Sequence, residues 1–310
     1  MLKKIVFMGT PLFSVPILKS LYQNGYSIPV VYTQPPQKSN RGQQINKSPI
    51  QGISETLNID YRTPSFLKNN NEEYEYLKKL NADVVIVAAY GKIIPKEFLS
   101  LTKKGFINIH ASILPKWRGA APIQRSIMNL EKQTGISIMR IQEKMDTGPV
   151  CNSYKIEVTN SDNAELISDK LSSLAAEKIS DVIDNILENK VDFKEQNHSE
   201  ATYAPKIEKS EAQIKWSEDA ENIIGKINGL YKTPGAYFIY KGERYKILRA
   251  ELTTGKGKTG EVLNNYLEIC CGNQKSLKIL EIQRQGKRPQ SISEFMLGSQ
   301  IKKGSNLNNV

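Results

Sequence analysis

Two histidines and three cysteines in 310 residues leave this chain little from which to build a metal centre or a disulfide frame. Cys270 and Cys271 are adjacent, Cys151 stands alone, and neither histidine sits in a Cys/His cluster, so no metal is expected. No stretch approaches the ~18 apolar residues that a membrane helix needs. The opening Met1-Leu-Lys-Lys-Ile-Val-Phe-Met resembles the start of an export signal. It breaks at Gly9-Thr10-Pro11 without a small-residue cleavage site, and reads instead as a buried strand and its turn. The same turn lacks the second and third glycines of a dinucleotide fingerprint, and no G-x-x-x-x-G-K-[ST] occurs, which speaks against NAD, FAD and ATP. A cytoplasmic protein without a membrane segment is the simplest expectation.

What is present is ordinary for a folded chain: 39% hydrophobic and 24% charged residues. The first half alternates strand and helix. Lys4–Met8, Ile28–Thr33 and Ala82–Ala89 read as strands; Phe13–Asn24, Ser48 to about Leu57, and Glu72–Leu80 read as helices. Ser48-Pro49 supplies an N-cap and a first-turn proline. The uninterrupted run ADVVIVAA suits a central parallel strand covered on both faces. A doubly wound, mostly parallel sheet follows, with functional groups beyond the carboxyl ends of its strands. A further strand, Ile136–Ile141, and a long helix from Asp162 to about Asn189 complete a domain over residues 1–189. The polar stretch 190–208 reads as a linker. Beyond it, one helix (Glu218–Tyr231) precedes short strand-like runs at Ala236–Tyr240, Tyr245–Ala250, Glu261–Leu263, Leu267–Cys270 and Leu277–Ile282. Their spacing predicts a small OB-like β-barrel over residues 209–310.

The net charge of +11 is concentrated toward the end of the chain: from Lys209 onward 17 Lys and Arg face 10 Asp and Glu, a surplus of +7. A domain that basic suits a polyanion, with nucleic acid the leading candidate and a lysine-rich solubilising surface the alternative.

The most informative stretch is Gly105–Gln124. Asn108, His110 and Ser112 alternate as an apolar strand runs out, and strand side chains alternate faces, so the three share one side. An imidazole that titrates near neutrality beside an amide that can hold a carbonyl oxygen suits acyl transfer. A polar strand end before a Pro-terminated turn is the bland alternative. Asp146, after the strand Ile136–Ile141, reads equally as a catalytic carboxylate or as a turn former before Thr147-Gly148.

The motif N-I-H-A-S-I-L-P-K-W-R-G-A-A-P-I-Q resembles the signature of the methionyl-tRNA formyltransferases. The resemblance extends over nearly the whole chain through M-G-T-P, A-A-Y-G-K-I-I-P at 88–95, M-D-T-G at 145–148 and Y-A-P-K-I at 203–207. The N-x-H-x-S-x-L-P core is shared with folate-dependent formyltransferases acting on glycinamide ribonucleotide or nucleotide sugars; the W-R-G-A-A-P-I-Q continuation and the basic domain favour the tRNA enzyme. Ala111, Ile113 and Lys116 depart from the commoner form of the motif. The resemblance implies formyl transfer from 10-formyltetrahydrofolate, as co-substrate, to the amino group of methionyl initiator tRNA. Asn108, His110 and Asp146 would be catalytic. Folate would lie along Ser112, Ile113, Leu114 and Pro115, with Gly91 and Ile93 in another wall. Arg41, in the polar loop Thr33–Lys47, and Lys206 would contact tRNA; Gln43-Gln44 stand where lysines are common. Arg284, Lys287, Arg288, Lys302 and Lys303 are candidate phosphate contacts. The partners expected are tRNA and folate, on a monomer. A formyltransferase for a small nucleotide or nucleotide-sugar amine, and a catalytically idle RNA-binding protein, are the alternatives.

Overall fold

Apolar five-residue runs build the centre of the first sheet. The structure, a computed structural model, describes residues 3–39 and 44–308. Its elements begin with β1 (Ile5–Gly9), α1 (Ser14–Gln23), β2 (Val31–Tyr32), β3 (Gln37–Ser39), β4 (Gln44–Asn46) and α2 (Pro49–Thr56). They continue with β5 (Tyr61–Arg62), α3 (Asn71–Leu80), β6 (Val84–Ala88), β7 (Phe106–His110), β8 (Arg118–Gly119), α4 (Pro122–Met128), β9 (Gln133–Arg140), β10 (Val150–Glu157) and α5 (Ala164–Leu187). The last are β11 (Tyr203–Ala204), α6 (Ala220–Gly229), β12 (Tyr237–Tyr240), β13 (Glu243–Thr253), β14 (Glu268–Cys270), β15 (Ser276–Arg284), β16 (Gln290–Ser291) and α7 (Ile292–Gly298).

These pack as two compact units. The first takes the chain to Ala120, then Gly135–Ile156 and Ser168–Ala204; the second takes Ala121–Thr134, Glu157–Ile167 and the chain from Pro205. The first unit is organised by a seven-stranded sheet in the order β10-β9-β7-β6-β1-β2-β5. The five strands from β7 to β5 run parallel, and β9 lies antiparallel to β7. Every residue of β1 and β6 is buried, as the lack of polar alternation predicts. The strand order reverses between β1 and β6, the place where open α/β sheets leave a crevice beyond their carboxyl ends. There Ser14 Oγ donates to the Ala88 carbonyl (2.6 Å) and Thr10 Oγ1 to the Tyr90 carbonyl (2.9 Å). The two turns are thereby tied together. Ser48 caps α2 by accepting from the Gln51 N–H at 2.9 Å, with Pro49 next.

The second unit holds an antiparallel five-stranded sheet: β12-β13-β15-β14, with β16 on β15. The expected small barrel takes the form of this curled sheet. Irregular register between Ile247 and Ala250 lets the 11-residue β13 bend. Trp216, Ile227, Phe238, Ile247 and Ile279 fill its core. The expected strand Glu261–Leu263 forms only isolated bridges, Glu261 with Asn306 and Val262 with Ile269. The elements not expected are the short strands β3, β4, β5, β8, β11 and β16 and the longer β10, α4 and α7, the last opened by a Ser291–Glu294 capping box.

Candidate active site

β7 carries the alternation that its sequence suggests. Phe106 packs into the core with Val85, Val87 and Met8, and Asn108 and His110 follow on the same face. Asn108 stands opposite Val87 of β6 and Met139 of β9, half-buried. No described residue hydrogen-bonds its side-chain amide. His110, 5% exposed, ends the strand. Its Nε2 lies 3.0 Å from the Trp117 carbonyl, so that nitrogen carries its proton and donates. Its Nδ1 faces the Asp146 carboxylate at 3.7 Å.

Two loops therefore bracket the imidazole, and both do so through a residue in the left-handed region: Trp117 at φ 62° and Asp146 at φ 53°. A bulky side chain rarely adopts that conformation; an aspartate does so several-fold more often, yet still uncommonly. Such residues cost about 1–3 kcal/mol each and persist where the surroundings over-determine them. Here the surroundings are visible. The Trp117 N–H donates to Thr202 Oγ1 and the Arg118 N–H to the Thr202 carbonyl, both at 2.9 Å. Asp146 is held from two sides: its Oδ2 accepts from the Gly119 N–H (2.8 Å), and its carbonyl accepts from Gln196 Nε2 (2.9 Å). Gly119, at φ 126°, brings the two loops together where a Cβ would stand 2.6 Å from the Ala204 carbonyl oxygen.

The segment expected to line folate is a tightly internally bonded turn. Ser112 Oγ donates to the Lys116 carbonyl (2.6 Å), while Ser137 Oγ donates to the Ser112 carbonyl (2.8 Å) and accepts from the Leu114 N–H (3.0 Å). The Ser112 hydroxyl thus closes the turn; the chain has left the strand, and period-two reasoning stops at His110. Ile113 and Pro115 are half-buried and Leu114 is buried. Gly91 and Ile93 follow the carboxyl end of β6, next to that of β7 in the sheet; Gln34 Nε2 donates to the Gly91 carbonyl (3.2 Å), and Ile93 is 81% exposed.

Of the residues expected to meet tRNA, Arg41 lies outside the described residues. Lys206 belongs to the second unit with its side chain exposed. Arg125 fixes that backbone: its guanidinium donates to the carbonyls of Pro205 (3.1 Å) and Lys206 (3.2 Å) and grips Glu211 bidentately (2.6 and 2.9 Å). The Arg125 contact holds the Glu211 carboxyl below the usual carboxylate range. Lys287 and Arg288 are exposed, and Arg284 pairs with Glu243. Burial pushes the Cys151 thiol up to about 11. Among the described residues no group of three or more His, Cys, Asp or Glu is arranged to hold a metal, and no helix is long and apolar enough to cross a membrane.

Sequence reasoning missed Gln196, Thr202 and Arg125. Arg118, 3% exposed, donates to Gln196 Oε1 from Nη2 (2.7 Å) and Nε (3.2 Å). A buried arginine needs an acceptor, but nothing in a polar stretch 78 residues away announces which residue supplies it.

Residues 3–183 match the family described as formyl transferase, and residues 206–300 match the formyl transferase C-terminal domain. The chain is 70% identical over 310 residues to a methionyl-tRNA formyltransferase of Pelagibacter ubique, with all of both chains covered. It is 42% identical over 306 residues to one from Caldanaerobacter subterraneus, covering 97% of this chain and 99% of that one. Its fold matches that of WlaRD, a sugar 3N-formyl transferase whose structure was determined in the presence of dTDP and 5-N-formyl-THF. That match has a TM-score of 0.69 at 19% identity and covers 93% of this chain and 99% of the other. The matched family domains lie in the order of the two sequence halves, and the match to the Pelagibacter relative spans the β7 motif, the Asp146 turn and the basic second half. The chain belongs to the methionyl-tRNA formyltransferase family.

Proposed function

We propose that this chain transfers the formyl group of 10-formyltetrahydrofolate to the amino group of methionyl initiator tRNA, in the cytoplasm, and that Asn108, His110 and Asp146 carry the chemistry. The neutral amine attacks the formyl carbon, forming the new C–N bond, and negative charge develops on the formyl oxygen. The Asn108 amide, which has no protein partner among the described residues, donates to that oxygen, and the His110 Nε2–H joins it by turning from the Trp117 carbonyl. The bond to N10 of the folate then breaks, and the proton leaving the amine ends on N10. Asp146, facing His110 Nδ1, orients the ring and relays that proton through water. Folate lies along Ser112–Pro115 and beside Gly91 and Ile93, a wall whose rigidity comes from the Ser137 and Ser112 bonds.

The observation that carries the chemical reading is the convergence of an unengaged amide, a buried imidazole and a carboxylate at the carboxyl end of β7. Full-length 70% identity to a methionyl-tRNA formyltransferase supports tRNA as the acceptor over a sugar amine, the acceptor class of a fold neighbour. The basic residues beyond Lys209, and Lys206 and Arg41, would each contact the tRNA through its phosphates. The test is to incubate the chain with methionine-charged initiator tRNA and 10-formyltetrahydrofolate and to look for formylmethionine by mass spectrometry, with His110→Ala alongside. Product from the wild type and its loss in the variant are expected. Absence of product with tRNA still bound would overturn the reading.

A further inference from the structure

The polar segment 194–204 crosses both loops that bracket His110. At one end Lys194 and Val150 exchange backbone hydrogen bonds at 2.9 Å, just beyond the Asp146 turn. At the other, Thr202 grips Trp117 and Arg118, and Tyr203–Ala204 pair in parallel with Arg118–Gly119. Between them Gln196 is buried, and its amide has one consistent orientation. The guanidinium of Arg118 can only donate, so it faces Oε1; the carbonyls of Asp146 (2.9 Å) and Gly148 (2.7 Å) can only accept, so they face Nε2. Every hydrogen-bonding direction of this amide is matched, and the two halves have different jobs: Oε1 satisfies a buried cation, and Nε2 fixes the backbone of a residue at φ 53°.

We propose that Gln196 is a positioning residue for formyl transfer: its side-chain N–H groups set the Asp146 turn, and through it the carboxylate that faces His110. Arg118 anchors the amide so that the turn cannot relax, and the 194–204 segment is the strap that carries it. This rests on the assignment of Asn108, His110 and Asp146 to the chemistry. A backbone acceptor is fixed here by a side chain 50 residues away, and the catalytic carboxylate is thereby placed without being touched. Because a displacement near 1 Å at a reacting group costs on the order of 10² in rate, the effect belongs in kcat rather than in substrate binding.

Gln196→Glu separates the two jobs. It retains an acceptor for Arg118, as an ion pair, but replaces the N–H donors with oxygens that oppose the carbonyls of Asp146 and Gly148. Gln196→Leu removes both. The variants are to be compared with Asp146→Asn for kcat and KM with methionyl-tRNA and 10-formyltetrahydrofolate, and for the ¹⁵N signals of the His110 ring in the substrate-free protein. The proposal expects Gln196→Glu to remain folded, to lose ~30–100-fold in kcat with both KM values within about threefold, and to shift the His110 signals in the direction that Asp146→Asn does. It also expects that adding Gln196→Glu to Asp146→Asn lowers kcat no further. Wild-type kcat and unmoved His110 signals in Gln196→Glu, with loss only in Gln196→Leu, would reduce Gln196 to a structural partner of Arg118 and overturn the proposal. Additive losses in the double variant would overturn it as well. If the wild type transfers no formyl group, it is the functional reading that fails, and the His110 signals still decide whether Gln196 sets the Asp146 turn.

Discussion

Gly119→Ala tests the geometry of the site at the point where its two loops meet. The residue sits at φ 126°, and an added methyl would lie 2.6 Å from the Ala204 carbonyl oxygen and 3.1 Å from its carbon. Neither side can yield cheaply. Ala204 is paired in register with Gly119, and the neighbouring Thr202 holds Trp117 and Arg118. A residue with a Cβ forced into this backbone region costs about 1–3 kcal/mol. Overpacking against backbone adds about 1–3 kcal/mol, and the stiffer unfolded chain returns about 0.4–1 kcal/mol. Taking the middle of each range, the net loss expected is about 3 kcal/mol, within what a protein with ~5–15 kcal/mol of stability survives at 25 °C. The Gly119 N–H also holds Asp146 Oδ2 at 2.8 Å, so the backbone shift that relieves the clash moves the carboxylate facing His110. A shift near 1 Å lowers kcat on the order of 10²-fold.

Gly25→Ala is the internal control. Gly25 has the same sign of φ, 78°, but a Cβ there meets nothing within 4 Å, and it lies in the turn after α1. Its substitution costs only the conformational part, about 1–2 kcal/mol, and leaves kcat unchanged. Urea unfolding with the slope held in common gives both stabilities, and single-turnover formyl transfer gives the rates. If Gly119→Ala falls within about 0.5 kcal/mol of Gly25→Ala, the close approach to Ala204 does not constrain Gly119. If it is destabilised as expected but keeps wild-type kcat, the Gly119 bond does not position Asp146.

Three further outcomes are expected. Asn108→Ala and His110→Ala each lose at least ~10²-fold in kcat while remaining folded, because each would remove a proposed donor to the developing oxyanion; near-normal turnover in either would remove that residue from the chemistry. Arg125→Met destabilises the protein by about 1 kcal/mol at pH 7, by losing the bidentate grip on Glu211. Since Arg125 depresses the Glu211 carboxyl in the folded state, that stability is present above the unfolded pKa of ~4.5 and fades as pH falls through the lower folded value; a difference between wild type and variant that persists undiminished at pH 2.5–3 would contradict it. Finally, tRNA binding weakens steeply with salt, and replacing Lys287 and Arg288 by alanine lowers the magnitude of the log K against log [salt] slope by ~1–2, whatever the tRNA sequence; a slope unchanged by the double substitution would take these two residues out of the contact.

What the sequence discloses and what it hides divide along the range of the interactions. β1 and β6 are legible because both faces are buried, and α2 because Ser48 and Pro49 act within one turn. β10 is not, because its alternating VCNSYKIE lies at the sheet edge and never forms an apolar run. Within the site, the common face of Asn108 and His110 follows from strand period alone, but the period ends with the strand, and the Ser112 hydroxyl turns back to Lys116. The approach of Asp146 to His110 has no local signal in a span of 36 residues; it depends on two residues, Trp117 and Asp146, whose left-handed backbone is not announced by their side chains. The strap is the hardest to read, for a physical reason. Residues 190–208 look like a linker because a segment that satisfies its polar groups through distant partners needs no periodicity of its own. Gln196 is buried on the strength of Arg118, Asp146 and Gly148, and Thr202 acts on Trp117 and Arg118 from 85 and 84 residues away. Composition reports how polar a segment is, whereas burial of a polar side chain is decided by whether the fold delivers matching donors and acceptors to it. Here the fold delivers all of them to one amide, beside the carboxylate on which the proposed chemistry depends.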